Sequence, residues 1–182
     1  MKTHITVLAV LSLTIAGCDN KSDFEKAIAQ NLKANGNLCL GIKKWPVDIT
    51  IFEIRSKSRK ALTFANLQIE GMVNGEDVMI ANQPWKVPAA RYTPTEQAKP
   101  FMAGPDICWG EKVLSEVVKW DGPKSNGDYK EAVVTYSYGV KIAPWLLQSS
   151  LPNYYPEMNQ AKLGPQQARA TLKLTSAGWE VK

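Results

Sequence analysis

The segment from residue 129 to residue 142, YKEAVVTYSYGVKI, constrains the fold more than any other stretch of the chain. Large apolar side chains recur in it at every second position, and mostly polar side chains stand between them. A period of two is typical of a β-strand, whose successive side chains point to opposite faces. The apolar face of the predicted strand carries Val134, Tyr136, Tyr138, Val140 and Ile142. We therefore expect a half-buried strand of an antiparallel sheet.

Two further segments predict neighbours for this strand. The sequence EKVLSEVVKW is typical of a strand, and the Asp-Gly-Pro of residues 121–123 is expected to end it. Near the end of the chain, ARATLKLTSAGWEVK alternates in the same way and has turn residues at positions 177–178. Residues 106–182 are therefore predicted to form an antiparallel β-sheet lobe.

Residues 22–105 predict a smaller lobe. Ser22 and Glu25 have the spacing of a capping box, and Gly36 is expected to end the helix that follows. One face of this helix is apolar: Phe24, Ala27, Ile28 and Leu32. LCLGIK and VDITIF are read as short strands, and Asn74-Gly75 as a hairpin turn. The predicted fold class is α+β, with a small helical or winged N-terminal lobe followed by an antiparallel sheet.

Part of this lobe is similar to winged-helix regulators. ALTFANLQIEGMV resembles their recognition helix, which runs into a wing, and ARYTPTEQAKPF resembles the opening of their next helix. The resemblance covers residues 56–102 and implies a helix and a wing there. The sequence departs from the pattern at Pro94, where leucine is favoured, and at Ala98, where glycine is favoured. Gln68 and Glu70 do not supply the basic face that DNA binding requires, so no nucleic-acid partner is expected.

The N-terminus has the pattern of an export signal. After Lys2, residues 5–15 are mostly apolar, and this run is about half as long as a membrane-spanning helix. The Ile-Ala-Gly-Cys of residues 15–18 resembles the lipobox of bacterial lipoproteins. An ordinary secretory signal with an incidental cysteine is the alternative.

The lipobox resemblance implies both processing and a location. The signal peptide, residues 1–17, is expected to be removed, and Cys18 is expected to carry acyl chains such as palmitate on a tether of residues 18–21. Asp19 followed by Asn20 resembles the signal that retains enteric lipoproteins in the inner membrane. We therefore expect the periplasmic side of the inner membrane, with the outer membrane as the alternative.

Histidine and cysteine usage excludes several kinds of active site. The only histidine, His4, lies in the predicted signal peptide, so the exported chain cannot build Ser-His-Asp or Cys-His catalysis or a His-ligated metal site. In an oxidising compartment, Cys39 and Cys108 are expected to form one disulfide. Two separate buried thiols are the alternative. No cofactor and no metal site is expected.

Aromatic residues beside prolines predict a contact surface. The loop LPNYYPEMN carries Tyr154 and Tyr155 between two prolines, and Trp145 follows Pro144. Exposed rings give large contact areas at low entropic cost, although such rings also fill the cores of small domains. The basic cluster at residues 57–60, KSRK, is read as a solvated surface or as a contact for an acidic partner or anionic headgroups.

Carboxylates are the remaining candidates for catalysis. Asp106, Glu111, Glu116 and Asp121 lie near the centre of the chain, and a hydrolase of glycans or lipid headgroups would need two of them facing each other. Their spacing is typical of solvent-facing strand and turn residues. We therefore expect a non-catalytic protein-binding module, such as an immunity lipoprotein that neutralises an envelope-targeting toxin. An assembly accessory of an envelope complex and a carboxylate-based hydrolase are the alternatives.

Overall fold

The computed structural model describes residues 18–82 and 85–182, and the predicted signal peptide, residues 1–17, lies outside the described residues. The helices in the described part are α1 Cys18–Asn35, α2 Ile51–Arg55, α3 Arg59–Ile69 and α4 Pro156–Ala161. The strands are β1 Asn37–Cys39, β2 Val47–Thr50, β3 Val73–Asn82, β4 Trp85–Pro94, β5 Met102–Ala103, β6 Asp106–Asn126, β7 Tyr129–Ile142, β8 Gln166–Thr175 and β9 Gly178–Val181. Short 3₁₀ segments cover Glu96–Phe101, Pro144–Leu146 and Leu151–Asn153.

A large, curled antiparallel sheet follows α1 along the chain, and this arrangement confirms the α+β class. Its strand order is β1-β6-β7-β8-β9, and β5 pairs with β6. The alternating segment forms β7 at the centre, where Tyr138 lies opposite Leu114 of β6 and Gln166 of β8. The period of two in the sequence is therefore the period of the central strand.

Both faces of β7 are buried only over residues 134–138, and Val133 and Lys141 are exposed, so the predicted half-buried strand holds outside that central stretch. Thr135 and Ser137, on the face opposite the apolar one, are each only 8% exposed. In the register of the sheet, Thr135 lies between Lys119 of β6 and Arg169 of β8. Residues directly opposite one another stand on the same face, so these long side chains flank the small one and shield it from solvent.

The apolar face of α1 packs on the large sheet. Phe24, Ile28 and Leu32 are buried there. The Phe24 ring lies edge-on to the rings of Trp120 and Trp179, with centroids 5.8 and 5.0 Å away. In the described part of the chain, none of the helices is both long enough and apolar enough to span a membrane.

The direction of α1 defines two ends of the molecule. Phe24, near the start of α1, contacts Trp120, whereas the carbonyl of Gly36, just after the helix, accepts a hydrogen bond from the backbone N–H of Lys112 at 2.9 Å. α1 therefore runs antiparallel to β6, and its 18 residues extend about 27 Å. β1 then pairs with residues 111 to 108 of β6 and so runs further from the start of α1. The chain after β1 therefore lies at the end of the molecule opposite the start of α1.

A smaller antiparallel sheet, in the order β2-β4-β3, packs with α2 and α3. Its core contains Ile49 of β2 with Phe64 and Leu67 of α3, and the same cluster includes Ile107 and Trp109 of β6. The smaller sheet and the start of β6 therefore share one hydrophobic core. In the range of the winged-helix resemblance the structure has α3, the β3–β4 hairpin and a 3₁₀ segment, and the resemblance itself stays a prediction.

Two predicted element ends are wrong. Ser22 lies within α1, so it does not cap the helix. The Asp-Gly-Pro of residues 121–123 does not end β6, which continues to Asn126 with a register shift between Asp121 and Lys124. Proline lacks the N–H that a regular ladder needs, and an irregularity in the pairing accommodates it without ending the strand.

The predicted hairpin turn at Asn74-Gly75 is also wrong, because both residues lie inside β3. A Cβ atom on Gly75 would lie 2.9 Å from the ring of Tyr92 and 3.2 Å from the amide oxygen of Gln68. Glycine is needed here for the close approach of side chains from β4 and α3. A two-residue sequence pattern cannot distinguish that use from a turn.

Candidate functional site: a basic cleft

A cleft of about 740 Å³ lies where the segment after β1 meets the start of α3 and Tyr155. It is lined by residues 40–44, 46–48, 59–60 and 63–64 together with Tyr155, and we call it the basic cleft. Its lining combines four cationic side chains, an apolar floor and a carboxylate.

One wall is the loop of residues 41–46, which is hydrogen-bonded to Pro105 and to Asp106 at the start of β6. The carboxylate of Asp106 accepts hydrogen bonds from the backbone N–H groups of Gly41 and Ile42, both at 2.9 Å. The indole Nε1 of Trp45 donates to the carbonyl of Pro105 at 2.6 Å. These bonds hold the two lysines of the loop, at positions 43 and 44, over the cleft.

A disulfide fixes the same wall from its other side. Cys39 of β1 and Cys108 of β6 are register partners and are bonded, which confirms the expected pairing. The bridge lies two residues before Gly41. The wall is therefore tied to β6 by a covalent bond as well as by the hydrogen bonds of Asp106.

The opposite wall is the start of α3. Ser58 caps this helix by accepting a backbone hydrogen bond at 3.1 Å, and Arg59 and Lys60 occupy its first turn. A helix N-terminus is partly positive, so acidic side chains are favoured in the first turn. Two cations at this place therefore do not stabilise the helix. Lys60 Nζ donates to the carbonyl of Asp48 at 3.1 Å and pairs with Glu53 at 3.5 Å.

Tyr155 closes the cleft beside Arg59. The guanidinium carbon of Arg59 lies 5.5 Å from the centroid of the Tyr155 ring. Thr63 Oγ1 donates to the carbonyl of Arg59 at 2.8 Å, and a hydroxyl has only one proton, so the Tyr155 hydroxyl is the donor in its 2.7 Å bond to Thr63. This cation–π contact positions the guanidinium, and no hydrogen bond or ion pair occupies its N–H groups in the described part of the chain, so they are available to an anion.

Asp48 is the acidic residue of the lining, and Arg91 neutralises it. Arg91 Nε and Nη2 donate to the two carboxylate oxygens of Asp48 at 2.8 and 2.9 Å. The Arg91 hydrogen bonds, and then the charges of Arg91 and Lys60, outweigh the effect of burial and hold the pKa of Asp48 below its usual value. Asp48 is therefore a paired carboxylate at neutral pH.

The net charge of the cleft is positive. Lys43, Lys44 and Arg59 are exposed, and no ion pair joins any of them to an acidic residue in the described part of the chain. Several unpaired cations over an apolar floor suit an anion that carries an apolar group, which makes this cleft the candidate site.

Glu53 positions Lys60 from outside the lining. Thr50 and Glu53 form a capping box at the start of α2, with Thr50 N donating to Glu53 Oε2 at 2.8 Å. Burial alone would raise the pKa of Glu53, but the hydrogen bonds from Thr50 and the contact with Lys60 outweigh it, so the pKa lies below its ordinary value. The resulting carboxylate holds Lys60 at the edge of the cleft.

The three aromatic residues predicted to form a contact surface lie in different environments in the structure. Tyr155 lines the cleft, and Tyr154 is half-buried next to it without lining it. Trp145 is only 7% exposed, and its Nε1 donates to the carbonyl of Cys108 at 3.2 Å. Trp145 is therefore a core residue and does not contribute to an exposed surface. Its position after a proline does not reveal this, because the core of β6 that covers it is distant in sequence.

The residues predicted for lipidation and sorting lie at the other end of the molecule. The side chains of Cys18 and Asp19 are outside the described part, and Asn20 is half-buried on α1. The cleft and these residues are thus separated by the length of α1.

The four carboxylates proposed for catalysis do not form a pair. Asp106, Glu111, Glu116 and Asp121 all lie on β6, five residues apart, and five residues of extended strand span about 16 Å. Carboxyl pairs of glycoside hydrolases are about 5–10 Å apart. Asp106 is committed to the backbone of residues 41–42, and Asp121 pairs with Lys124 at 2.8 Å.

Sequence reasoning found one side of the cleft, because the basic cluster at residues 57–60 contributes Arg59 and Lys60 and the predicted contact residue Tyr155 lies beside them. It missed Lys43, Lys44 and the pairing of Asp48 with Arg91. Lys43 ends the segment LCLGIK, which is predicted as a strand but is strand only as far as Cys39, and Lys44 lies in no predicted element. Arg91 pairs with Asp48 across 43 residues of sequence. The Thr-x-x-Glu of residues 50–53 is a local helix signal that could have been found. Among the described residues, no group of three or more His, Cys, Asp or Glu side chains is placed to hold a metal ion.

Comparison with known proteins gives no match: no family model, no curated protein sequence and no solved structure is significantly similar to this chain. The function is therefore inferred from the basic cleft itself.

Proposed function

We propose that this protein is a lipoprotein, anchored through Cys18 at the periplasmic face of the inner membrane, that captures an acidic protein partner in the basic cleft. It acts as a binding module and not as a catalyst. An immunity lipoprotein that neutralises an envelope-targeting toxin is one form of such a module. The anchor is supported by the lipobox-like residues 15–18, and the sorting signal by Asp19 and Asn20.

A single observation carries the binding function: cations from two separate segments converge on one cleft in which the carboxylate is already paired. Lys43 and Lys44 come from one wall, and Arg59 and Lys60 from the other. Like charges held close together destabilise a fold, and here two of them occupy a helix turn that favours acids. A binding partner of opposite charge would compensate these cations and accounts for their placement.

Affinity purification of the full-length protein from cross-linked cells tests this function. Arg59→Glu reverses one charge in the cleft, and Arg169→Glu makes the matched reversal at an exposed position on β8. We expect the wild type and Arg169→Glu to recover the same acidic protein, and Arg59→Glu to recover at least about tenfold less. Equal recovery with Arg59→Glu, at unchanged melting temperature, would contradict the proposal.

A further inference from the structure

The floor of the basic cleft is apolar although its walls are charged. Ile42 and Phe64 belong to the buried core, and Leu40 and Val47 pack against that core while still lining the cleft. Water over this floor is displaced favourably only by an apolar group. A purely ionic ligand, such as a phosphate group alone, would leave the floor in contact with water.

The walls require acidic groups at more than one position. Lys43 and Lys44 lie on a loop that is fixed to β6, whereas Arg59 and Lys60 lie on α3. The two pairs lie on opposite walls of a cleft of about 740 Å³, which is much larger than a single carboxylate or phosphate group, so a ligand that fills the cleft meets both pairs. Arg59 can bind a carboxylate with two parallel hydrogen bonds while its guanidinium stays beside the Tyr155 ring.

The position of the cleft argues against a lipid headgroup of the anchoring membrane. The cleft lies after β1, at the end of the molecule opposite the start of α1, and α1 is about 27 Å long. If acyl chains at Cys18 hold the protein to a bilayer and α1 points away from that bilayer, the cleft is separated from the bilayer by the length of α1. A ligand therefore reaches it from the periplasmic side.

We infer that the basic cleft recognises an acidic peptide segment that inserts one large apolar side chain onto the floor and places carboxylates at both walls. This rests on the proposed function, and it names the chemistry by which the partner is recognised. Glu or Asp residues on either side of a Trp, Phe or Leu supply that chemistry. Burial of the apolar side chain contributes affinity that persists at high salt, and the carboxylates fix the orientation of the peptide in the cleft.

Fluorescence anisotropy with the purified full-length protein in detergent tests the inference. The probe is a labelled nine-residue peptide with Glu-Glu-Trp-Glu-Glu at its centre. Three matched peptides replace Trp by Gly, all Glu by Gln, or all Glu by Lys. We expect the first peptide to bind and each of the others to bind at least about tenfold more weakly. Arg59→Glu should abolish binding, and Arg169→Glu should leave it unchanged.

Four outcomes would overturn the inference, and they differ in what they mean for the proposed function. If the Trp-to-Gly peptide binds as tightly as the parent, the floor is not used, although an acidic partner at the cleft still stands. If inorganic phosphate or vesicles of anionic lipid compete at lower concentration than the peptide, a headgroup is the ligand. If the peptide binds wild type and Arg59→Glu equally, the cleft is not its site. If Arg59→Glu loses the cellular partner but the wild type does not bind the peptide, the proposed acidic peptide segment is wrong and the proposed function still stands.

Discussion

Arg91 controls the charge of the basic cleft without lining it, because it binds both carboxylate oxygens of Asp48. Arg91→Gln would leave an uncompensated carboxylate among the lysines. A charge at a partly exposed position is worth about 1 kcal/mol, so binding of the acidic peptide should weaken about fivefold. The double variant with Asp48→Asn should recover most of the loss, since it removes the carboxylate. A loss that persists in the double variant would mean that Arg91 acts in some other way.

The Asp48–Arg91 pair also predicts a pH dependence of stability. The pKa of Asp48 is lowered in the folded protein, so its contribution is complete above the unfolded-state pKa of about 4 and is lost as pH falls through the folded value. Asp48→Asn should lower the free energy of unfolding by about 1 kcal/mol at pH 7. Urea denaturation should show the same difference at pH 7 and pH 5 and a smaller one at pH 3, below the unfolded-state pKa. A difference that is the same at pH 7 and pH 3 would contradict the pKa shift.

The disulfide is the element that ties the loop wall to the large sheet. It closes a loop with a sequence separation of 69, for which the chain-entropy model gives about 4 kcal/mol. The double variant Cys39→Ser, Cys108→Ser should lose about that amount of stability in urea denaturation. Peptide affinity should fall as well, because Lys43 and Lys44 lose one of their constraints. Unchanged stability of the double variant would show that the bridge does not constrain the unfolded chain.

At the scale of elements, the sequence predicted those helices and strands whose side-chain pattern lies within one segment, and it did not predict features that depend on contacts between distant segments. The alternation in β7 and the apolar face of α1 are local patterns, and both gave the right element. Gly75 looked like a turn residue because its true partner, Tyr92, lies 17 positions later in β4. The cleft was hidden for the same reason: its two walls approach only because β1 pairs with β6 and α3 packs on the smaller sheet.

At the scale of the whole molecule, the lipid anchor stays a prediction with a direct test. Cells that express wild type or Cys18→Ser are fed radiolabelled palmitate, and inner and outer membranes are separated. Label on wild type alone, in the inner-membrane fraction, is the expected result. Label in the outer membrane would keep the lipobox and reject the role of Asp19 and Asn20. Equal absence of label in both proteins would reject the lipobox.

The account as a whole depends on the basic cleft being the surface that meets a partner protein in the cell. The most direct measurement is site-specific photo-cross-linking with a photoreactive phenylalanine at position Lys44 in one strain and at position Arg169 in another. Lys44 lines the cleft, and Arg169 is an exposed residue of β8 outside it. The account predicts an adduct with one acidic protein from position 44 and none from position 169. An adduct with that protein from position 169 alone, or the same adducts from both positions, would contradict it.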